Sequence, residues 1–88
     1  MTNQEIIERI DRSIAEEFEI DPEGMTPEKT LFQDLGLDSL DIVDLVIVLE
    51  TAFRFKIRED EGIRKIRTLG DIHAFVIQKK DELESIPR

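Results

Sequence analysis

Apolar residues recur at helical spacing in the first part of the chain. The positions are Ile6, Ile10, Ile14 and Phe18, with Ile7 beside them and acids and arginines between. This period predicts an amphipathic helix over about residues 3–17. Thr2 and Glu5 have the spacing of a capping box, in which each side chain satisfies a free backbone N–H at the start of the helix.

A long loop is predicted to follow this helix. Residues 19–37 contain Pro22, Gly24, Pro27 and Gly36, which are typical of turns and loops. Loops of this length in a small domain are usually functional or held by their own side chains. The side chains expected to anchor it are Leu31, Phe32, Leu35 and Leu37.

A second helix is predicted over about residues 39–53, with Asp38 as its N-cap. On a helical wheel one stripe is assigned to the core: Ile42, Leu45, Val46, Leu49 and Phe53. Four more apolar residues fall on the flanks or outer face: Leu40, Val43, Ile47 and Val48. Exposed apolar residues among acids indicate a surface that contacts a partner. The alternative is a central helix buried all round.

The remaining chain completes an all-α architecture. Residues 54–67 are predicted to be irregular, with one short helix at about 59–65. Thr68 and Asp71 are spaced to cap a last helix over about 69–83. Its apolar residues are Leu69, Ile72, Phe75, Val76 and Leu83. The prediction for residues 1–88 is therefore a single domain, a bundle of three longer helices plus one short helix with a long first loop.

Composition and charge exclude several classes of function. The net charge of -9 argues against nucleic-acid binding, since a phosphate backbone requires a basic surface. The absence of cysteine excludes disulfides and thiolate metal sites. The polar, acidic start is unlike a signal peptide, and no apolar run approaches the length needed to span a bilayer. We therefore expect a soluble, cytoplasmic protein, monomeric and without a membrane span.

The charges are also unevenly distributed along the chain. Residues 30–53 contain five acids and no lysine or arginine, whereas residues 54–67 contain six bases and three acids. Acids on neighbouring helical turns repel each other at a small cost. Because no lysine or arginine in residues 30–53 offsets this repulsion, the acids indicate a partner protein with a basic surface. A merely solvated acidic face is the alternative.

Ser39 is the residue whose chemistry decides the functional interpretation. Because Asp38 can cap the helix, the Ser39 hydroxyl is free to point outward. A nucleophilic serine needs an adjacent base, and the only histidine, His73, is predicted to be a surface or packing residue of the last helix. The acids also lack the spacing of a calcium loop. No catalytic residue and no metal site are therefore predicted, and Ser39 suits the attachment of another group better than turnover.

Residues 31–50 resemble the acyl carrier proteins. The resemblance is carried by Asp-Leu-Gly at 34–36, Asp-Ser-Leu at 38–40 and the acidic, apolar helix that follows. It extends over nearly the whole chain in the order of helices and in length.

The resemblance implies a carrier and not an enzyme. In that family a phosphopantetheinyl transferase (holo-ACP synthase) moves 4'-phosphopantetheine from coenzyme A onto the serine matching Ser39. Acyl groups then ride as thioesters on the terminal thiol, for fatty-acid or related acyl and polyketide biosynthesis, and the family shelters them among its helices. Asp38 matches an acid expected to help the transferase site bind its divalent ion.

The resemblance and the helical wheel together predict a partner-binding surface. Its residues are Leu40, Asp41, Val43, Asp44, Ile47 and Glu50. The expected partners are the transferase and the acyl-transferring and chain-elongating enzymes, each with a basic docking patch.

The chain departs from the family pattern after the second helix. Thr51 and Ala52 stand where acids are expected, Arg54 follows, and one residue is inserted between Ile57 and Ile66. These differences leave open the alternative of a specialised carrier in a secondary pathway, such as a D-alanyl carrier. A peptidyl carrier is disfavoured because Leu-Gly-Leu stands where that class has Leu-Gly-Gly. The alternative of a different class is an unmodified acidic interaction module.

Overall fold

The computed structural model describes residues 2–55 and 65–84, and within them the fold is all-α. Its three long helices are α1 (Asn3–Phe18), α2 (Ser39–Phe53) and α3 (Leu69–Glu84). The all-α class predicted from the sequence is confirmed, and the helices correspond to those expected at about 3–17, 39–53 and 69–83. The short helix predicted at about 59–65 lies outside the described residues except for Lys65, and the single-domain organisation stays a prediction.

The start of α1 is fixed by the predicted capping box. The Glu5 N–H donates to Thr2 Oγ1 at 3.1 Å, and the Thr2 N–H donates to Glu5 Oε1 at 2.9 Å. These bonds satisfy backbone donors that have no partner inside the helix. They also hold the pKa of Glu5 below its usual value, chiefly through the Thr2 N–H.

The core lies where α1 packs against both α2 and α3. Each helix buries one apolar stripe, as the spacing of its residues requires. The side chains with almost no exposure are Ile10, Ile14, Leu31, Leu49, Leu69, Ile72 and Val76. On α2 the predicted core stripe is buried except at its first residue, Ile42, which is half-buried.

The loop before α2 is anchored by three of its four predicted side chains. Leu31 and Leu37 are buried and Leu35 is half-buried, but Phe32 is 48% exposed. The prediction for Phe32 was wrong. Thr30 pairs with Thr68 in an isolated antiparallel bridge, and residues 31–34 form a turn directly after it. In this turn Leu31 is buried in the core, whereas its neighbour Phe32 remains exposed.

Backbone hydrogen bonds fasten this loop to the beginning of α3. They run from Leu31 N to Arg67 O (3.0 Å), from Leu69 N to Lys29 O (2.9 Å) and from Gly70 N to Pro27 O (2.8 Å). The loop thereby satisfies N–H groups at the start of α3 that no helical carbonyl can reach. This junction holds the segment leading into α2 in place.

The junction depends on glycine at position 70. A Cβ atom there would lie 3.1 Å from the Pro27 carbonyl oxygen and 3.3 Å from Pro27 Cβ. Both distances are tight for a side-chain carbon in a packed interior. We expect Gly70→Ala to lower the free energy of unfolding by about 1 kcal/mol, although alanine is the better helix former.

Gly24→Ala is the matched control for this prediction, because nothing lies within 4 Å of a Cβ at that position. Urea unfolding followed by circular dichroism measures both variants. A Gly70→Ala protein as stable as the Gly24→Ala protein would show that the junction accommodates the added methyl group without loss of stability.

His73 is a packing residue, which is one of the two roles predicted for it from the sequence. It is 6% exposed, and its Nε2 lies 2.6 Å from Asp11 Oδ1. The pair joins α3 to α1 through partly buried side chains. The imidazole is therefore engaged with Asp11 in the interface between two helices, and not with Ser39.

Candidate functional site

A compact turn leads the chain toward the start of α2. The Asp34 carboxylate accepts hydrogen bonds from the Thr30 N–H at 2.8 Å and from the Thr30 hydroxyl at 3.1 Å. The bond from the Thr30 N–H is the main reason why the pKa of Asp34 lies below its usual value. Gly36 then adopts a φ of 73°, a conformation that side chains disfavour. Asp34-Leu-Gly is therefore a turn motif with a physical role.

The first turn of α2 is closed by a second capping box. Asp38 Oδ1 accepts from the Asp41 N–H at 2.9 Å, and Asp41 Oδ2 accepts from the Asp38 N–H at 3.0 Å. Asp38 is therefore the N-cap, as predicted. Ser39 is exposed at the first helical position, and its hydroxyl has no hydrogen-bond partner within residues 2–55 and 65–84. The cap leaves that hydroxyl available for chemistry.

The outer face of α2 carries apolar side chains in water. Leu40 is 76% exposed, Val43 57% and Ile47 42%. Asp44 is exposed between them, while Val48 is half-buried. Residues three and four apart share one face of a helix, so these side chains form a continuous strip that begins beside Ser39. We call Leu40, Val43, Asp44 and Ile47 the α2 strip.

A small apolar cavity lies on the other side of α2. It has a volume of about 160 Å³. Four α2 residues line it (Ile42, Leu45, Val46 and Leu49), and Leu31, Phe32, Ile66, Arg67 and Ile72 complete the wall. The exposed Phe32 ring thus belongs to the wall of an apolar space that opens to the surface.

Comparison with known proteins shows the family to which this chain belongs. A family model described as a phosphopantetheine attachment site matches residues 8–76. The chain is also 46% identical over 72 residues to acyl carrier protein 2 of Ralstonia nicotianae, covering 82% of this chain and 88% of that relative. The chain belongs to the acyl carrier protein family.

Other members of the acyl carrier protein family match over similar lengths. The acyl carrier protein of Thermotoga maritima is 38% identical over 78 residues, which cover 89% of this chain and 95% of the relative. That of Thermosynechococcus vestitus is 35% identical over 79 residues, covering 90% and 96%. Membership gives the chain a carrier function with 4'-phosphopantetheine as its cofactor. No helix within the described residues is long and apolar enough to cross a membrane.

The structure brings most of the predicted site residues of this family member together. Asp38, Ser39 and Asp41 meet in the first turn of α2, and the α2 strip continues from them. Asp41 is half-buried and held by the Asp38 N–H, so its carboxylate has a structural task as well. Glu50 is half-buried and interacts with other residues. It is therefore less available than Asp44.

Proposed function

We propose that Ser39 is the residue to which 4'-phosphopantetheine is attached. The observation that carries this proposal is the exposed Ser39 hydroxyl, which is left without a hydrogen-bond partner among the described residues because Asp38 caps the helix. Only one other serine, Ser13, falls within the matched residues 8–76. Ser13 is half-buried in the middle of α1, where a transferase would have poor access.

The surroundings of Ser39 fit such a group. A phosphate at the N-terminus of a helix is stabilised by free N–H groups and by the helix dipole. Asp38 and Asp41 oppose it by charge, yet both carboxylates accept N–H bonds that spread their negative charge. When bound, the group supplies the thiol that holds an acyl chain, a sulfur that this cysteine-free chain lacks. Its outward position leaves the attached group free to reach other proteins.

The same geometry supports a carrier and not an enzyme. A serine nucleophile requires a base within hydrogen-bond reach. The only histidine of the chain, His73, is turned toward Asp11 at 2.6 Å between α1 and α3. Within the described residues Ser39 has no such base, so its hydroxyl serves as an attachment point for chemistry performed elsewhere.

The cargo we propose is an acyl group of fatty-acid or related biosynthesis. The apolar cavity of about 160 Å³ beside α2 supports this. An aliphatic cavity of about 150 Å³ stays dry and accommodates benzene, so a chain of roughly six carbons would fill this one. Burial in the cavity would remove such a chain from water, at a gain of about 0.8 kcal/mol per methylene.

The partners we propose are a phosphopantetheinyl transferase and acyl-transferring or chain-elongating enzymes, acting in the cytoplasm. They would dock on the α2 strip together with Asp41 and Glu50. The exposed apolar side chains Leu40, Val43 and Ile47 supply contact area, and Asp44 supplies charge. Opposite charges speed association without requiring very tight binding, which suits a carrier that visits several enzymes.

Reversal of charge on the α2 strip should slow docking. We expect Asp44→Lys to lower kcat/KM for loading by a phosphopantetheinyl transferase by about tenfold, because a like charge then faces the basic patch. Ile47→Ala should lower it by about threefold through lost contact area. Loading is followed by intact mass at limiting transferase, and circular dichroism checks that helicity is unchanged.

Glu28→Lys is the control for Asp44→Lys, since Glu28 is exposed in the loop and the change in net charge is the same. Equal kcat/KM for the Asp44→Lys and Glu28→Lys proteins would place the docking face elsewhere.

The attachment itself is tested by incubating the protein with coenzyme A and transferase. A wild-type mass that does not increase would favour an unmodified interaction module.

A further inference from the structure

A second surface lies beside the α2 strip, in the groove between α1 and α2. Ser13, Glu16 and Glu17 form its α1 side. Ile47, Val48, Thr51 and Ala52 form its α2 side. The groove therefore has an apolar floor from α2 and an acidic edge from α1. Ile47 belongs to both surfaces, so the groove is continuous with the α2 strip.

The acidic edge is not engaged in ion pairs among the described residues. Glu16 and Glu17 lie in the last turn of α1, at the negative end of the helix dipole. This last turn contains no basic residue. Both side chains are exposed, and no hydrogen bond or ion pair to either occurs within residues 2–55 and 65–84. Arg12 precedes Glu16 by one turn and offsets part of its charge, although no ion pair joins the two side chains within the described residues. The negative charges thus oppose both each other and the helix end.

We infer that this groove receives an arginine or lysine side chain from a partner enzyme. These side chains have an aliphatic stem and a charged head, and the stem lies along apolar surface while the head stays at its polar edge. The groove offers that combination, with Val48 and Ala52 for the stem and Glu16 and Glu17 for the head. The inference rests on the proposed function, because it concerns the enzymes that dock a carrier.

The occupant follows from charge complementarity. A partner with an acidic or purely apolar segment would leave Glu16 and Glu17 to be desolvated without an opposite charge, which costs free energy. A basic side chain relieves the repulsion at the end of α1. The docking surface then extends over two helices, so that α1 contributes to the choice of partner.

The test uses a synthetic amphipathic helical peptide with leucine on one face and arginine on the other, added to the ¹⁵N-labelled full-length chain. We expect the amide signals of Ser13, Glu16, Glu17 and the α2 groove residues to shift most. Glu16→Gln combined with Glu17→Gln should raise the Kd by about three- to tenfold.

The matched control is Glu23→Gln combined with Glu28→Gln, which removes the same net charge from exposed positions between α1 and α2. Its Kd should change by less than about twofold. Equal weakening in both double variants, shifts confined to Leu40 and Val43, or absence of binding would overturn the inference.

A second measurement on the same samples keeps this inference separate from the proposed function. Each protein is incubated to completion with coenzyme A and transferase, and its mass is measured. Failure of wild-type loading would overturn the attachment proposal. Complete loading with an unchanged Kd in the groove variant would overturn the groove alone.

Discussion

Ser39→Ala is expected to abolish the mass gain that the wild-type protein shows after incubation with coenzyme A and a broad-specificity phosphopantetheinyl transferase. The wild-type protein should gain one phosphopantetheine group, and the variant none. The reason is that Ser39 presents the exposed hydroxyl at the start of α2, where Asp38 already satisfies the helix. Intact-protein mass spectrometry gives the result without a functional assay.

Ser13→Ala is the control for this experiment and should load to the same extent as the wild-type protein. The fold should tolerate both changes. Alanine at position 39 leaves the bonds between Asp38 and Asp41 in place, so the cap of α2 persists. A Ser39→Ala protein that still gains mass, or a Ser13→Ala protein that no longer does, would refute the assignment of Ser39.

Asp11→Ala is expected to produce the other large effect, a loss of stability. His73 is 6% exposed and its Nε2 lies 2.6 Å from Asp11 Oδ1. Removing the carboxylate leaves a polar imidazole atom in the interface of α1 and α3 without its partner. An unsatisfied buried group costs about 1–3 kcal/mol, a large part of the stability of a small domain. Urea unfolding of the apo protein measures it.

Two further variants show what kind of interaction is lost. Asp11→Asn keeps a hydrogen-bonding side chain at the same length, so it should cost less than Asp11→Ala. Glu8→Ala removes an exposed carboxylate from the same helix and should change the free energy of unfolding by less than about 0.5 kcal/mol. Equal stability of the Asp11→Ala and Glu8→Ala proteins would show that His73 does not depend on its partner.

Local chemistry made much of this fold predictable. The two residues of each capping pair, Thr2 with Glu5 and Thr68 with Asp71, are about one helical turn apart along the chain. The sequence alone therefore places both helix starts. The four-residue repeat of isoleucines likewise identifies the buried face of α1. At the proposed attachment site the same logic assigns the cap to Asp38 and leaves Ser39 exposed.

Features that depend on packing between distant segments were not predictable. Leu31 is buried and Phe32 is exposed because of how the turn at residues 31–34 packs on the helices, and a list of apolar residues cannot show this. The pairing of Asp11 with His73 depends on how α1 and α3 are oriented relative to each other about their axes, which the sequence alone does not specify. The groove beside Glu16 and Glu17 exists only because α1 lies next to α2, whereas a helical wheel treats one helix at a time.

The fastening of the first loop to the head of α3 has a consequence for the order of folding. Thr30 and Thr68 are separated along the chain by the whole of α2, so their pairing closes a long loop and carries a corresponding entropic penalty. Contacts of this range form late unless the nucleus includes them. Packing of α1 against α3 joins residues still further apart along the chain, such as Asp11 and His73, so the pairing of Thr30 with Thr68 is expected to form together with the docking of α3. The serine-bearing turn then acquires its final orientation only when α3 docks.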